Sequence, residues 1–387
     1  MASVKRTFAE INEKIRAKKA VVVTAEELVG IVKDKGVEEA TAAVDVVTTG
    51  TFSPMCSSGV MLNFGHTTPK IKAQRVWVND VEAYAGLAAV DCYLGATQLR
   101  EGDPGNEVYP GKFNYGGGHV ITDLLKGRTV TLRAEAHGTD CYPRKHFVGE
   151  FKLADFREAW LLNPRNCYQN YNVATNSTDR LIYTYMGVLK PRFGNITYCS
   201  AGQLSPLLCD PYYRTIGLGT RIFLGGAQGW VIGPGTQHSP DAKRTADGVP
   251  SEGAGTLAVR GNLKEMSSQW VRGVSFLGYG VSLAVGIGVP IPVLDSDVVR
   301  LASLGDAKLP APLIDYGADY PDAVDRVLAE ISYADLKSGH VEFNGRQVPT
   351  SPLSSYPAAR EIAAVLKNWI AAGEFVLGEP QDKLMTR

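Results

Sequence analysis

Residues 273–294 read GVSFLGYGVSLAVGIGVPIPVL, the longest uncharged apolar run in the chain. Its length alone would suit a membrane-spanning helix. The run contains five glycines and two prolines, however, and the rest of the sequence offers no second run of this kind. Glycine and proline interrupt helices but are common in turns and at strand ends. We therefore expect buried β-strands joined by a glycine-rich turn, and no membrane contact.

The segments on either side of this run carry both helix and strand signals. Helices are predicted over residues 5–37 in two parts, and over 119–126, 153–162, 295–304, 321–335 and 357–372. Strands are predicted for VDVVTTG (44–50), RVWVNDV (75–81) and TVTLRAEA (129–136), with a hairpin over 340–348. This mixture predicts an α/β or α+β fold, with a mixed sheet, glycine-rich loops and a helical C-terminal part. Residues 1–375 are expected to form a single large catalytic unit, and residues 376–387 a C-terminal tail.

Local signals fix several element ends. Thr24 is followed three residues later by Glu27, which is the pattern of a capping box, and Gly36 suits the end of that helix. Asp295 is expected to cap the helix that follows it. The Asn344-Gly345 pair predicts the turn of the hairpin over 340–348.

Charge and the N-terminal sequence exclude some functional classes. The 387 residues include 40 Lys and Arg and 40 Asp and Glu, so the formal net charge is zero. A nucleic-acid-binding protein usually has a basic excess, and we therefore expect no nucleic-acid partner. The N-terminal MASVKRTFAEINEKIRAKK lacks the apolar core of a secretory signal. A cytoplasmic protein with reduced cysteines is expected.

The glycine clusters and histidines match no common cofactor or metal motif. Neither G-x-G-x-x-G nor G-x-x-x-x-G-K-[ST] occurs, and GLGTRI at 217–222 has only two of the three glycines. Tight turns explain the clusters best, with a nest of N–H groups over 225–235 as the alternative. His137, Cys141 and His146 have no common zinc spacing. We expect neither a metal nor a cofactor in the chain.

Two of the six cysteines follow strand signals. Cys56 lies in the loop FSPMCSSG, and Cys141 lies in HGTDCYPRKH directly after the strand predicted over 129–136. Loops at strand ends often carry catalytic groups. The cations around Cys141 would favour its thiolate, which is the nucleophilic form. The other four are expected to be buried and mostly structural: Cys92, Cys167, Cys199 and Cys209.

Several long segments together resemble the homocysteine biosynthesis family of anaerobes. They are VDVVTTGTFSPMCSSGVMLNFGH (44–66), GGGHVITDLLKG (116–127), AHGTDCYPRK (136–145), GNITYCSAGQLSPLLCDP (194–211) and LGTRIFLGGAQGWVIGPGTQH (218–238). The resemblance implies an L-aspartate semialdehyde sulfurtransferase, which makes homocysteine from the aldehyde and sulfide, with Cys56 and Cys141 as its two important cysteines. It also suggests a small ferredoxin-like electron-donor protein as partner. The regulatory domains appended in some relatives are not expected here.

The implied reaction requires two electrons. Conversion of an aldehyde carbon to a CH2–SH carbon lowers its oxidation state by two, whereas sulfide alone would stop at a thiohemiacetal or thioaldehyde. A cysteine pair that cycles between dithiol, disulfide and persulfide fits this need if an external electron donor resets it. We expect Cys56 to carry the sulfur as a persulfide and Cys141 to release the product thiol.

The implied substrate carries a carboxylate and an ammonium group. Arg144 could bind the carboxylate through its planar guanidinium group, and Asp140 could face the ammonium. His119 and His137 are further candidates for the substrate pocket. Two rivals stay open: another two-cysteine oxidoreductase or thioester enzyme, and a non-catalytic sulfur carrier. The oligomeric state, a homo-oligomer included, is open too.

The two cysteine loops are expected to meet. If the strands before Cys56 and Cys141 are parallel neighbours in one sheet, their C-terminal ends open onto the same crevice. Both loops should then lie on one face of one pocket, with at least one of His119, His137 and Arg144 lining it.

Overall fold

The computed structural model describes residues 4–167, 169, 172–317 and 326–384. The helices of this part are α1 (Phe8–Arg16), α2 (Ala25–Lys35), α3 (Val37–Ala43), α4 (Gly117–Leu125), α5 (Pro206–Cys209), α6 (Ser296–Ala302), α7 (Tyr333–Lys337) and α8 (Tyr356–Ala371). The strands of the first half are β1 (Val22–Thr24), β2 (Val46–Thr48), β3 (Thr51–Pro54), β4 (Gly59–Asn63), β5 (Arg75–Val78), β6 (Val81–Ala83), β7 (Asp91–Gly95), β8 (Val130–Glu135), β9 (His146–Phe151), β10 (Glu158–Asn166), β11 (Val173–Thr175), β12 (Ile182–Thr184) and β13 (Gly187–Leu189). Those of the second half are β14 (Ile196–Tyr198), β15 (Gly217–Leu218), β16 (Arg221–Leu224), β17 (Ala227–Pro234), β18 (Leu257–Asn262), β19 (Val271–Phe276), β20 (Gly280–Gly288), β21 (Pro290–Pro292), β22 (Pro310–Asp315), β23 (Val327–Ser332), β24 (His340–Phe343), β25 (Arg346–Pro352) and β26 (Asp382–Lys383).

The largest sheet is antiparallel and contains most of the uncharged run of residues 273–294, whose last strand, β21, belongs to another sheet. Its strand order is β19-β20-β16-β17-β18-β10-β4-β7, and β3 joins it by pairing with β20. Strand β20 is buried at every position, and the turn before it places Gly278 at φ +71°, a conformation that favours glycine. The glycine-rich turn and the burial of β20 are therefore confirmed, whereas the part of β19 in this run is only partly buried. Over the described residues, no helix is both long and apolar enough to span a membrane.

The smaller sheets make the architecture mixed, as predicted. One has the order β6-β5-β8-β9 and is antiparallel. Another, β23-β22-β11-β14-β25-β24, combines parallel and antiparallel pairs. A third, β1-β2-β21, pairs β1 and β2 in parallel.

Helix α8 and the chain after it close the core at one end. Ile362, Leu366 and Ile370 of α8 are buried in a cluster with Phe223 and Trp270, and the chain continues this cluster beyond the helix. Leu384 is buried as well, and β26 pairs with β15. The residues expected to form a tail thus pack on the body as far as Leu384.

The predicted element ends with local signals agree with the structure. Thr24 and Glu27 form the capping box of α2, and Gly36 ends that helix. Asp295 caps α6 through the N–H group of Val298. The hairpin β24–β25 turns at Asn344 and Gly345, both at positive φ.

Two predicted helices are wrong. The helix expected over 153–162 is instead a single 3-10 turn, Leu153–Asp155, followed by the start of β10, whose Leu161 is buried while Trp160 is only partly buried. The helix expected over 321–335 is β23 followed by the short α7, and its residues 321–325 lie outside the described part. Strand β10 pairs with β4 and β18, each about a hundred residues away, and β23 pairs with β22 at the edge of its sheet, so sheet pairing overrides the local helix signal.

Candidate active site

Cys56 lies in a turn held between two strands of the large sheet. The Ser58 N–H group donates to the carbonyl of Met55 at 3.1 Å, which closes a four-residue turn with Cys56 at its second position. The Met55 N–H group donates to Leu283 O at 2.8 Å, and the Ala96 N–H group donates to Ser58 O at 2.8 Å. The turn is therefore fixed on both sides by backbone bonds to distant segments.

Two hydroxyl groups contact the thiol. Tyr279 Oη and Ser282 Oγ each lie 3.6 Å from Cys56 Sγ and can donate to it. Cys56 itself is partly buried, Ser282 is 0% exposed and Tyr279 is 41% exposed. Hydrogen-bond donors around a sulfur favour its anionic forms, a thiolate or a persulfide anion. The sulfur thus lies between a buried hydroxyl and one that reaches solvent.

The buried side-chain amide of Asn163 also holds this turn in place. Asn163 Nδ2 donates to Ser58 Oγ at 2.8 Å, and both side chains are buried. Asn163 belongs to β10, which pairs with β4 directly after the turn. The orientation of residues 56–58 is therefore coupled to the middle of the large sheet.

The glycine run at the start of α4, residues 116–118, allows close packing of the backbone. The Gly117 and Gly118 N–H groups donate to the carbonyls of Gln98 and Ala96, at 2.8 and 2.9 Å. A Cβ at Gly117 would lie 1.8 Å from Gly95 O, and one at Gly118 would lie 2.2 Å from Ser282 O. The first turn of α4 therefore packs backbone to backbone on the strands beside Cys56, and these two N–H groups already have acceptors.

His119 approaches the β19–β20 hairpin from its other face. Its Nε2 lies 3.4 Å from Ser275 Oγ, and its ring stacks on Tyr115 at 5.6 Å. Ser275 pairs with Val281, so Ser275 and Ser282 point to opposite faces of the hairpin. Burial lowers the pKa of His119, and the nearby Asp123 carboxylate opposes that effect.

Cys141 lies at the exposed tip of the extended β8–β9 hairpin. Thr139 and Tyr142 exchange two backbone hydrogen bonds, at 2.9 and 3.1 Å, so Asp140 and Cys141 form the tip. Both residues are exposed. Cys141 is thus an accessible thiol on an extended arm.

Arg144 and His137 lie with this arm. The Arg144 guanidinium donates to Thr68 O at 2.5 Å, and the backbone N–H of His137 donates to Gln74 Oε1 at 2.8 Å. Arg144 also lies over the Phe147 ring, 5.7 Å from its centre. These two candidate substrate-binding residues therefore hold the arm against its supporting segment, residues 66–74.

The expected juxtaposition of the two cysteine strands is wrong. Strand β3, before Cys56, pairs with β20 in the large sheet, whereas β8, before Cys141, pairs antiparallel with β5 and β9 in another. The Cys141 arm contacts residues 66–74, which follow the far end of β4, while Cys56 precedes its near end. A strand rises about 3.3 Å per residue, so β4 alone spans ~13 Å. The arm and the Cys56 turn lie apart along that strand.

The other four cysteines are buried. Burial raises the pKa of the Cys92 thiol to about 12 and raises the pKa values of Cys167 and Cys209 as well. Cys209 Sγ also donates to Gln203 O at 3.2 Å. A thiol that stays protonated is a poor nucleophile, so Cys56 and Cys141 are the accessible candidates.

Three residues of the Cys56 site were not foreseen: Tyr279, Ser282 and Asn163. The signal that could have pointed to two of them is the presence of a tyrosine and a serine inside an otherwise apolar run. Among the described residues, no group of three or more His, Cys, Asp or Glu side chains is placed to hold a metal ion.

Known proteins are similar to this chain over most of its length. A family model described as "Homocysteine biosynthesis enzyme, sulfur-incorporation" matches residues 20–377. An L-aspartate semialdehyde sulfurtransferase of Methanosarcina acetivorans is 51% identical over 98% of this chain and 72% of its own length. One of Methanocaldococcus jannaschii is 47% identical over 98% of this chain and 73% of its own. No solved structure matches.

Proposed function

The chain belongs to the homocysteine biosynthesis enzymes that incorporate sulfur, and on this premise we propose that it forms L-homocysteine from L-aspartate semialdehyde and sulfide. The observation that carries the proposal beyond the family is the Cys56 site. It holds a partly exposed thiol between two hydroxyl donors, at a turn fixed by backbone bonds. Such a site suits a sulfur that must accept, hold and transfer a second sulfur atom.

The net reaction fixes the number of electrons. The aldehyde, hydrogen sulfide, two electrons and two protons give the CH2–SH product and water. Within our proposal, an external electron donor, a ferredoxin-like protein in the cell, supplies both electrons. The chain itself is proposed to supply the two thiols.

The proposed cysteine cycle starts from a Cys56–Cys141 disulfide and returns to it. Hydrosulfide attacks a Cys56–Cys141 disulfide, which gives the Cys56 persulfide and the free Cys141 thiol. The outer sulfur adds to the aldehyde carbon, water leaves, and the two external electrons reduce that carbon. Cys141 then attacks Cys56 Sγ, so the product thiol leaves and the disulfide re-forms. The arm that carries Cys141 must approach Cys56 for the first and last steps.

The test is homocysteine formation from aspartate semialdehyde and sulfide with a strong chemical reductant. We expect many equivalents of homocysteine per chain from the wild type, whereas a sulfur carrier would stop at one. Cys56→Ser should abolish turnover with little change in melting temperature. Cys209→Ala is the matched control, because that buried thiol has no role in the cycle.

The Cys141→Ser variant separates the two thiols. It has no Cys56–Cys141 disulfide for hydrosulfide to attack, so sulfide alone should give no Cys56 persulfide. When a polysulfide loads Cys56 with one sulfur atom beforehand, the variant should stop after one addition, with the product attached to Cys56 through an S–S bond that dithiothreitol releases and mass spectrometry detects. Near-normal turnover by Cys56→Ser would show that the sulfur is carried elsewhere. Homocysteine formation that does not depend on sulfide would favour another two-cysteine enzyme.

A further inference from the structure

We infer that Tyr279 is a catalytic residue of this site, the acid that gives its phenolic proton to the substrate oxygen when sulfur adds to the aldehyde. The inference rests on the proposed function and adds a residue to it. Its starting point is that two hydroxyl groups contact Cys56 Sγ at the same distance, 3.6 Å. Tyr279 is exposed whereas Ser282 is buried, and we therefore assign the two hydroxyl groups different roles.

Ser282 lies on the closed side of the sulfur. It belongs to the fully buried β20 and is itself 0% exposed, so an incoming aldehyde has no access to it. Its hydroxyl can serve only the sulfur. We therefore assign Ser282 the role of a positioning residue that holds Cys56 Sγ.

Tyr279 lies on the open side. It is 41% exposed, and the contact of its hydroxyl with Cys56 Sγ is exposed whereas that of Ser282 is partly buried, so a substrate that approaches the thiol from solvent meets this hydroxyl. The outer sulfur of a persulfide extends about 2 Å beyond Sγ. An aldehyde bonded to that sulfur would carry its oxygen within reach of the phenol.

The surrounding contacts hold the phenol in place. The Tyr279 ring packs against Tyr185 at 6.0 Å and edge-on against Phe276 at 6.2 Å. The preceding Gly278 donates its N–H to Gly111 O at 2.8 Å, and a Cβ there would lie 2.4 Å from the Tyr183 ring. The turn is therefore anchored to two other segments, and its hydroxyl is preorganised.

The step balances without any electron transfer. The outer sulfur of the Cys56 persulfide forms a bond to the carbonyl carbon, and the carbonyl π pair moves to oxygen. Tyr279 gives its proton to that oxygen, and water then returns a proton to the phenolate. A phenol is protonated at neutral pH and therefore suits this role. General acids of this kind contribute on the order of 10²–10⁴-fold in rate.

The test compares Tyr279→Phe with Ser282→Ala and with Tyr84→Phe. Tyr84 is an exposed tyrosine (76% exposed) directly after β6 that pairs with Tyr93. Phenylalanine keeps the ring contacts and removes only the hydroxyl. We expect Tyr279→Phe to slow adduct formation from the preloaded persulfide about 100-fold. Sulfur loading of Cys56, followed as the added mass of one sulfur atom, should change by only a few fold. Tyr84→Phe should behave as wild type in both assays.

A proton-transfer role has signatures that a packing role lacks. The wild-type adduct rate should fall at alkaline pH and show a solvent deuterium isotope effect, and Tyr279→Phe should lose both. Ser282→Ala should keep them while Cys56 reacts more slowly with iodoacetamide.

The outcomes separate this inference from the proposed function. If the wild type makes homocysteine and Tyr279→Phe retains its rate, the inference is overturned and the proposed function stands. If sulfur loading falls as steeply as adduct formation in Tyr279→Phe, the hydroxyl serves the sulfur and the inference is overturned as well. If the wild type makes no homocysteine, both are overturned.

Discussion

At the scale of single residues, chemical neighbours distinguish Cys56 from the other thiols. Four cysteines are buried and Cys141 is exposed. Cys56 is partly exposed and has two hydroxyl donors on its sulfur. A nucleophile must be accessible to its substrate and held in place, and among the described cysteines Cys56 combines partial exposure with two hydroxyl contacts on its sulfur.

His119 should make the protein sensitive to mild acid. Burial lowers its pKa in the folded chain below the usual value near 6.5. The unfolded chain then binds more protons between the two pKa values, so the free energy of unfolding decreases as the pH falls below about 6.5 and levels off below the folded pKa. When the pH is lowered from about 7.5 to about 5, the melting temperature of wild type should therefore fall more than that of His119→Gln.

Thermal melts at several pH values measure this difference. The same substitution at His146, which is exposed on β9, is the matched control. A His119→Gln difference that stays constant over the pH range would mean that the imidazole does not titrate with unfolding.

At the scale of elements, the start of α4 depends on the absence of side chains. A Cβ at Gly118 would lie 2.2 Å from Ser282 O, whereas one at Gly30, in the exposed part of α2, would have nothing within 4 Å. Gly118→Ala should lower the free energy of unfolding by roughly 1–3 kcal/mol, and because it displaces Ser282 it should also slow Cys56 alkylation. Gly30→Ala should stabilise the protein by about 0.5–1 kcal/mol.

Chemical denaturation measures the free energy of unfolding of both variants and tests whether Gly118→Ala destabilises the protein while Gly30→Ala stabilises it. Equal effects at both positions would show that α4 can shift away from β20 at little cost.

The sequence predicts those elements whose signals are local. Thr24 with Glu27, and Asn344 with Gly345, carry their information within a few residues, and both agree with the structure. Strand β10 is different, because its partners β4 and β18 lie about a hundred residues away on either side. The Cys56 loop could be predicted for the same local reason, whereas its contacts with Tyr279 and Ser282 cross more than 220 residues.

The two chain ends stabilise one another at the scale of the whole molecule. Asn12 Nδ2 donates to Leu377 O at 3.0 Å, and its Oδ1 accepts from the Leu377 N–H at 2.8 Å. Beyond this point Leu384 is buried and β26 pairs with β15. A chain that ends at Gly378 loses the burial of Leu384, about 1.5–3 kcal/mol, and should melt several degrees lower.

A chain that ends at Leu384 is the control for this truncation and should keep the melting temperature of the full chain. Equal melting of the Gly378 and Leu384 chains would show that the last strand adds nothing to the body.

The pairing of β3 with β20 has a consequence for how the protein is made. Cys56 directly follows β3, whose Pro54 pairs with Ala284, about 230 residues later. At a synthesis rate of ~5–20 residues per second, the ribosome takes roughly 10–50 s to reach that partner. During this interval the nascent chain carries its first cysteine without Tyr279, Ser282 or the strand that anchors the turn. The thiol that is synthesised first is thus among the last to be enclosed, and a newly made chain exposes it to oxidants and electrophiles that the finished fold partly excludes.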